Sequence, residues 1–304
     1  MDLNELKKMI TGNIMENEPM ANHTSYGIGG PALAFIEPKS VKDIQMIKSF
    51  AQKHSVAIHC IGSGSNLLVS NEGINGFVIT LEKSFKNILF DENRCYVGAG
   101  VKLSKLVKEC IKRNLIGLET LIGIPGTLGG ALIMNAGAFE NEISNYLISI
   151  ELLNSKGIVK QKSANEIEFR YRSSTFNKDD IILSAEFQLE KASETEIQKN
   201  RDQANLSRKS TQPLKFRSAG SVFKNPKDFA AGYLIDQAGL KGKSIGGAMV
   251  SDIHANFIIN QANAKAEDVV QLIKLIRNAI YKKYSIVLEL EITTLGFPEG
   301  TFNA

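Results

Sequence analysis

Residues 57–68 read "AIHCIGSGSNLL", in which an apolar run enters a loop rich in glycine and serine. The run predicts a strand, and Gly62 and Gly64 allow the following backbone to turn its N–H groups toward an anion. A dinucleotide fingerprint needs a third glycine, where Leu67 stands, and a P-loop needs a following lysine, which is missing. The loop therefore predicts either an anion site of neither kind or a tight turn with Asn66 as a local hydrogen-bonding residue.

A second glycine-rich stretch, "GIPGTLGGALIMNAGAF" at 123–139, favours the ligand interpretation. Pro125 restricts the backbone before it, and Thr127 can cap a short helix over 128–135. Each of the two glycines inside that helix costs roughly 0.8–1 kcal/mol relative to alanine. Close approach of a cofactor pyrophosphate to the helix N-terminus would account for this cost. Tight packing of the helix on a sheet explains Gly129 and Gly130 but not the whole run.

Composition limits the classes of protein to which the chain can belong. Its 304 residues are too many for one small core and predict two or three domains. A hydrophobic fraction of 43% and a charged fraction of 22% are typical of globular chains with large cores. The net charge of +4 is small and basic residues are mixed with acidic ones, so we expect no nucleic-acid partner.

Cysteine, histidine and hydropathy patterns indicate where the protein acts. The three cysteines contain no CxxC pair and the four histidines have no ligand spacing, so we expect reduced thiols and no metal site. No window of about 18 apolar residues occurs, and the N-terminus lacks the apolar segment of a signal peptide. We therefore expect a cytoplasmic monomer that neither spans nor binds a membrane.

Hydrophobic periodicity predicts alternating helices and strands. Helices are predicted over 1–16, 40–55, 103–115, 191–210 and 266–284. Strands are predicted over 56–62, 76–83, 169–176, 181–191 and 285–293, with a hairpin over 148–164. A helix between strands indicates an αβ layer, and the polar helix over 191–210 places a domain boundary near residue 200.

Seven motifs occur in an order that is highly specific when they are taken together. They are "HTSYGIGGPA" (23–32), "GSGSNLL" (62–68), "GIPGTLGGALIMNAGAF" (123–139), "YRSSTF" (171–176), "GSVFKNP" (220–226), "AAGYLIDQAGLKG" (230–242) and "LELEI" (288–292). From about residue 20 to residue 296 the chain resembles the UDP-N-acetylenolpyruvoylglucosamine reductases, the MurB-type flavoenzymes of peptidoglycan precursor synthesis. The short run from Gly220 to Gly242 resembles the form of the family without an extra tyrosine-bearing loop.

The resemblance implies an α+β fold with an FAD-binding module of the vanillyl-alcohol-oxidase (PCMH) type. Its two subdomains would cover residues 1–84 and 85–202, and an α+β substrate-binding domain would cover 203–304. FAD would be held non-covalently, because Ser65 and Asn66 stand where related oxidases tether the flavin through a histidine. The implied cofactor-binding residues are Gly62, Ser63, Gly64, Ser65, Asn66, Leu67, Gly123, Pro125, Gly126, Thr127, Gly129, Gly130, Asn135 and Gly137.

The resemblance also implies a reaction. A hydride passes from NADPH through FAD to the enolpyruvyl group of UDP-N-acetylglucosamine-enolpyruvate (UDP-GlcNAc-enolpyruvate) and gives UDP-N-acetylmuramate. Negative charge develops beside the substrate carboxylate, so the site must stabilise that charge and supply a proton.

Arg172 and Ser221 match two family positions that carry this chemistry. The planar, permanently charged fork of Arg172 suits the substrate carboxylate, although an arginine on a solvated strand face shared with Arg170 would also fit the pattern. Ser221 would donate the proton, helped by nearby positive charge such as that of Lys224. Without the motif, Ser221 would be read as a serine in a glycine-rich turn.

Glu291 is the third implied catalytic residue. Strand alternation places Glu289 and Glu291 on the same face and does not choose between them. The family pattern Leu-Glu-x-Glu selects Glu291, which would position Arg172 or the intermediate, or assist protonation. Thr293 departs from the arginine that many members carry two residues later.

Further residues match family positions around the substrate, and the lysines among them suit a diphosphate. An ordinary surface location remains the alternative for these lysines. The implied substrate-binding residues are Tyr171, Lys224, Asn225, Lys241 and His254.

Two other functions are compatible with parts of the sequence. One is an FAD-dependent oxidase of the same fold, against which the missing histidine tether argues. The other is a nucleotide-binding regulator without catalysis, against which the presence of Arg172, Ser221 and Glu291 argues.

Overall fold

The structure is a computed structural model that describes residues 1–303. Within this range the α-helices are α1 (Leu3–Met9), α2 (Val41–Lys53), α3 (Leu103–Ile111), α4 (Leu128–Ile133), α5 (Glu194–Thr211), α6 (Ala231–Gln237) and α7 (Ala266–Tyr284). The strands are β1 (Asn13–Pro19), β2 (Pro31–Glu37), β3 (Ala57–Ile61), β4 (Leu67–Val69), β5 (Ile74–Thr80), β6 (Ile88–Asp91), β7 (Arg94–Gly98), β8 (Leu115–Ile116), β9 (Gly137–Ala138), β10 (Asn141–Glu142), β11 (Leu147–Leu153), β12 (Val159–Ser163), β13 (Phe169–Arg170), β14 (Ser173–Ser174), β15 (Ile181–Gln188), β16 (Glu190–Lys191), β17 (Ser244–Ile245), β18 (Ala248–Val250), β19 (Ile258–Asn260) and β20 (Thr293–Leu295).

The chain forms two compact units, each built from three segments. Unit 1 contains Met1–Glu16, Ala34–Ser63 and Gly76–Arg208, and unit 2 contains Asn17–Leu33, Gly64–Asn75 and Lys209–Ala304. The division into 1–84, 85–202 and 203–304 stays a prediction.

The largest sheet of unit 1 has five strands in the order β12-β11-β15-β7-β6, all of them antiparallel to their neighbours. The pairing of β11 with β12 confirms the hairpin predicted over 148–164. Strands β3 and β5 run parallel and belong to a four-stranded sheet of order β1-β2-β5-β3. Helix α2 connects β2 to β3, as expected for an αβ layer.

The core of unit 2 forms around α7. An apolar stripe of this helix is buried with residues from α6 and β18 and with the loop residue Tyr26. The stripe consists of Val269, Leu272, Ile273, Ile276 and Ile280. The observed bounds of α7, Ala266–Tyr284, confirm the helix predicted over 266–284.

Three sequence-based assignments are wrong in part. The first helix ends at Met9, and Ile14 lies in β1. The prediction of a helix over 1–16 failed because its apolar spacing fits a short helix followed by a strand equally well. Residues 169–176 form two two-residue strands around a turn instead of one strand. Residues 285–292 form no strand apart from an isolated bridge at Leu290, and β20 begins only at Thr293.

None of the helices in residues 1–303 combines the length and the apolar character needed to cross a membrane.

Candidate active site

The start of the first glycine loop contacts the second one within unit 1. A β-carbon at Gly62 would collide with the hydroxyl oxygen of Thr127. The Ser63 hydroxyl donates to the Glu82 carboxylate, which lies 4.0 Å from the Lys102 ammonium. Lys102 in turn forms an isolated bridge with Thr127. The two loops that were predicted separately are therefore neighbours, and Gly62 is required by their close approach.

The remainder of the first loop belongs to unit 2. Gly64 has a left-handed φ of +62°, and a β-carbon there would collide with the His23 carbonyl oxygen. The Asn66 amide donates to the Glu291 carbonyl at 3.0 Å, and the Asn66 carbonyl accepts from the Thr293 N–H at 2.9 Å. Asn66 lies in a turn, as the alternative predicted, but these two bonds hold the backbone around Glu291, more than 200 residues away in the chain.

Thr127 caps α4 as predicted, because its hydroxyl accepts from the Gly130 N–H at 3.4 Å. The helix ends at Ile133 and is thus shorter than the predicted range 128–135. A β-carbon at Gly129 would lie 3.3 Å from that of Ala99, which agrees with tight packing on the sheet. A β-carbon at Gly130 would meet only Thr127, at 3.6 Å, so packing does not explain the second glycine.

Arg208, which sequence reasoning missed, packs against the start of the second loop. A β-carbon at Gly123 (φ +81°) would lie 3.1 Å from Arg208 Cδ, whereas Gly126 (φ +123°) is needed for the backbone course after Pro125. The Arg208 Nε atom is buried and has no hydrogen-bond partner. Burial and the nearby positive charge of Arg172 both lower the pKa of Arg208. Arg208 lies in the polar helix α5, whose sequence contains no pattern that predicts a side chain beside the glycine loop.

The end of the second loop is strained and polar. Asn135 is fully buried in a left-handed conformation (φ +42°), and its Nδ2 donates to Glu142 at 2.6 Å and to the Arg170 carbonyl at 3.2 Å. Its Oδ1 is buried without a hydrogen-bond partner. Gly137 pairs with Glu142, where a β-carbon would lie 2.9 Å from the Glu142 side chain. Left-handed non-glycine residues and unpaired buried acceptors are features that occur preferentially at functional positions, which makes Asn135 a candidate.

Arg172 lies in the turn of the β13–β14 hairpin and also has a left-handed φ, of +54°. Its NH2 donates to the Gly137 carbonyl at 2.9 Å, and its Cζ lies 5.0 Å from the centre of the Tyr171 ring. The alternative of an arginine on a strand face shared with Arg170 is wrong, because Arg172 lies in the turn and not in a strand. A side chain in a strained turn can point differently from its neighbours, which suits a functional residue.

Ser221 and Glu291 lie on adjacent backbone segments of unit 2. Ser221 bridges to Phe257, and Phe223 bridges to Leu290. The Glu291 N–H donates to the Val222 carbonyl at 2.8 Å. Strand alternation did not distinguish Glu289 from Glu291, but the exposure of the two residues does. The Glu289 side chain is 76% exposed, whereas Glu291 is half-buried.

The candidate substrate residues of unit 2 surround α6. The Asn225 side chain accepts from the Ala231 N–H at the start of this helix at 3.0 Å. Lys241 pairs with Asp236 at 2.8 Å. His254 Cε1 would lie 3.2 Å from a β-carbon at Gly232, inside the same helix.

His254 and Lys224 differ in their electrostatic surroundings. Burial, and to a lesser extent the charge of Lys241, lower the pKa of His254, so its ring is neutral at pH 7. Its Nδ1 accepts from the Asn256 N–H at 3.2 Å, which leaves the other ring nitrogen as the N–H donor. The Lys224 ammonium lies 3.8 Å from the exposed Glu289 carboxylate.

Comparison with known proteins gives the class and then the family. Residues 32–162 match the model of an FAD binding domain, so the chain is an FAD-binding protein. Residues 212–295 match the C-terminal domain of UDP-N-acetylenolpyruvoylglucosamine reductase.

Relatives cover nearly the whole chain. The UDP-N-acetylenolpyruvoylglucosamine reductase of Carboxydothermus hydrogenoformans is 43% identical over 293 residues, which cover 96% of this chain and 97% of the relative. That of Bacillus licheniformis is 41% identical over 300 residues, covering 97% and 98%. The crystal structure of the Thermus caldophilus reductase (MurB) superposes with a TM-score of 0.81 at 33% identity, covering 94% of this chain and 100% of the other. The chain belongs to the UDP-N-acetylenolpyruvoylglucosamine reductase family, and the predicted fold class is confirmed.

The residues of unit 1 fit the FAD that the family implies. Three side-chain atoms within residues 1–303 are buried without a hydrogen-bond partner, and two of them, Arg208 Nε and Asn135 Oδ1, lie beside the second glycine loop. One is a cationic donor and the other is an acceptor. Bound FAD, which carries both phosphate acceptors and a ring N–H donor, would offer groups complementary to these two atoms, whereas an apoprotein leaves both unsatisfied.

Proposed function

We propose that the protein reduces UDP-GlcNAc-enolpyruvate to UDP-N-acetylmuramate with NADPH, in peptidoglycan precursor synthesis. The carrying observation is the 43% and 41% identity to reductases of this name over 96–97% of the chain. Bound FAD supplies the chemistry of hydride transfer, accepting from NADPH and giving to the enolpyruvyl methylene carbon. The protein side chains must bind the anionic substrate, stabilise the developing charge and deliver one proton.

Arg172 is proposed to bind the substrate carboxylate. Its support is the turn position, which fixes the backbone in a strained conformation and aims the guanidinium independently of Arg170. A planar cation meets a carboxylate with two parallel hydrogen bonds and stabilises the additional charge of an enolate-like species. Tyr171 flanks the guanidinium and is 45% exposed, so it remains available to a ligand.

Ser221 is proposed to donate the proton, and Glu291 to assist it. Their backbone segments are joined through Val222, which holds both residues in one small region of unit 2. A serine hydroxyl is a weak acid, so a neighbouring group such as Glu291 or Lys224 must supply a proton to the Ser221 oxygen as it donates its own. Glu291 is half-buried and its N–H bonds the Val222 carbonyl beside Ser221, whereas the Glu289 side chain is exposed, so Glu291 is the glutamate that we assign to this role.

The two glycine loops are proposed to hold FAD without a covalent bond. The support is the contact between Gly62 and Thr127, which joins the loops within unit 1, together with the unpaired atoms of Arg208 and Asn135. For the substrate, we propose that Lys224 and Lys241 attract the diphosphate and that Asn225 and the neutral His254 make polar contacts to the sugar nucleotide.

We also propose a cytoplasmic location and a monomeric state. The three cysteines are free, which suits a reducing compartment. Elution of the purified protein beside standards in size-exclusion chromatography with light scattering tests the monomer, and a mass of twice 33.3 kDa contradicts it.

One assay tests the proposed function as a whole. The purified yellow protein should oxidise NADPH only when UDP-GlcNAc-enolpyruvate is supplied, and the absence of substrate-dependent oxidation would contradict the proposal. Acid precipitation separates it from the oxidase alternative, because non-covalent FAD should remain in the supernatant. Flavin that stays in the pellet would indicate a tethered cofactor.

A further inference from the structure

The segment that carries Ser221 is held by little regular structure. Residues 221–223 form isolated bridges and no strand, and Gly220 precedes them with a left-handed φ of +78°. On one side the segment meets the backbone of Glu289–Glu291, since the Lys224 N–H donates to the Glu289 carbonyl at 2.9 Å. On the other side a continuous ladder is missing, so another group must pair with the peptide groups of Phe223.

Asn256 supplies that pairing with its side chain. Its Oδ1 accepts from the Phe223 N–H at 3.0 Å, and its Nδ2 donates to the Phe223 carbonyl at 2.8 Å. Its own carbonyl accepts from the Val222 N–H at 2.8 Å. The residue is 3% exposed, and Val222 and Phe223 are buried, so water cannot replace these bonds. The carboxamide thus takes the place of a neighbouring β-strand.

Asparagine is the residue type that this position requires. A carboxamide carries one acceptor and one donor group in a plane, which matches the C=O and N–H of a single residue. Aspartate lacks the donor when ionised, and alanine would leave two buried backbone groups unpaired. Substitution should therefore release the Ser221 segment while the helices of unit 2 stay folded.

We propose that Asn256 is a positioning residue for the reduction step, holding the Ser221 segment where the hydroxyl can deliver its proton. This inference rests on the proposed function of Ser221. A donor must be held within about half an ångström of its productive position, and two of the three bonds that fix the segment on this side come from the Asn256 side chain. Glu291 fixes the segment from the opposite side through Val222.

Asn260 provides a matched control in the same unit. Its Oδ1 accepts from the Ala264 N–H and its Nδ2 donates to the Tyr26 carbonyl, each at 2.9 Å. It therefore bridges two backbone groups as Asn256 does, without touching residues 221–223. A general loss of stability from removing such a bridge is common to both positions.

The experiment compares wild type, Asn256→Asp, Asn256→Ala and Asn260→Ala as FAD-loaded proteins. Hydrogen–deuterium exchange should show faster exchange at 220–224 in both Asn256 variants and not in Asn260→Ala. Stopped-flow reoxidation by UDP-GlcNAc-enolpyruvate should slow 10- to 100-fold with a larger solvent isotope effect, while KM and flavin reduction by NADPH change less than threefold. If Asn256→Ala does not accumulate, the isosteric Asn256→Asp decides.

The outcomes separate the two proposals. Reoxidation at the wild-type rate in Asn256→Asp, whatever its exchange behaviour, overturns the positioning role. An equal slowing in Asn260→Ala also overturns it, because it would reveal a general stability effect. If wild type itself shows no substrate-dependent reoxidation, the proposed function fails instead.

Discussion

The hydroxyl oxygen of Thr127 lies where a β-carbon on Gly62 would have to sit, so the two glycine loops of unit 1 are in contact. Gly62→Ala should therefore lower the free energy of unfolding by about 1–3 kcal/mol, as overpacking does. Thr127→Ala should cost about 1 kcal/mol through the lost cap. In the double variant the cost of Gly62→Ala should be partly relieved, because the colliding Thr127 oxygen is gone. Urea unfolding of the four apoproteins measures this coupling, and strictly additive costs would contradict the contact.

Arg172→Lys should impair the reduction of substrate far more than the reduction of flavin. Lysine keeps the charge but cannot form two parallel hydrogen bonds with a carboxylate. We expect a roughly 10²–10³-fold slower reoxidation by UDP-GlcNAc-enolpyruvate, measured by stopped flow. Arg170→Lys is the control, because that residue is exposed and pairs with Glu168 at 2.6 Å. Equal effects at the two positions would remove the case for Arg172.

Ser221→Ala tests proton delivery. Loss of a positioned acid should slow reoxidation by substrate about 10²–10⁴-fold and leave flavin reduction by NADPH near the wild-type rate. Ser244→Ala, at an exposed serine of the same unit that bonds the Gly242 carbonyl, should change neither rate. Equal loss of both half-reactions in Ser221→Ala would indicate a folding defect rather than a catalytic role.

Arg208→Met should have opposite effects on the apoprotein and on cofactor binding. The buried Nε lacks a partner and the charge faces Arg172, so methionine should raise the free energy of unfolding of the apoprotein by about 1–4 kcal/mol. The same change should weaken FAD binding at least tenfold, as followed by flavin fluorescence. Lys209→Met, at the exposed next residue, should do neither. Unchanged FAD affinity in Arg208→Met would contradict the proposed role.

Asp43 should make the free energy of unfolding depend on pH in the acid range. Burial raises its pKa, but hydrogen bonds from the Lys39 N–H at 2.8 Å and from Thr11, with a contribution from the Ser40 side chain, outweigh burial, so the pKa is lowered overall. A lowered carboxyl pKa stabilises the fold above about pH 4, and this contribution is lost as the pH falls through the folded-state pKa.

Asp43→Asn should therefore cost roughly 1.5–3 kcal/mol at pH 7, with the difference from wild type shrinking as the pH falls below about 4. Urea unfolding at a series of pH values measures this difference. Asp228→Asn, at an exposed position, should follow the wild-type curve throughout. A gap between wild type and Asp43→Asn that stays constant down to pH 2 would show that the carboxylate does not cause the effect.

Local sequence patterns correctly predicted the parts of the fold where a pattern is compatible with only one kind of secondary structure. The helix α7, the β11–β12 hairpin and the Thr127 cap follow from periodicity, turn residues and side-chain chemistry over a few residues. The secondary-structure predictions were wrong where one sequence pattern is compatible with two structures. Apolar spacing near Ile14 fits a helix or a strand, and the segment around Arg172 contains strand-forming residues on both sides of a tight turn.

By itself, the sequence determined the family, the two glycine loops and the three residues that match the family's catalytic positions, because ordered motifs and residue chemistry are local properties of the chain. Only the tertiary structure decided that Glu291 is half-buried and Glu289 exposed, that Arg208 Nε is buried without a hydrogen-bond partner, and that Asn256 holds the backbone at Phe223. Burial and hydrogen-bond satisfaction depend on segments far apart in the chain, and no pattern within a single segment records them.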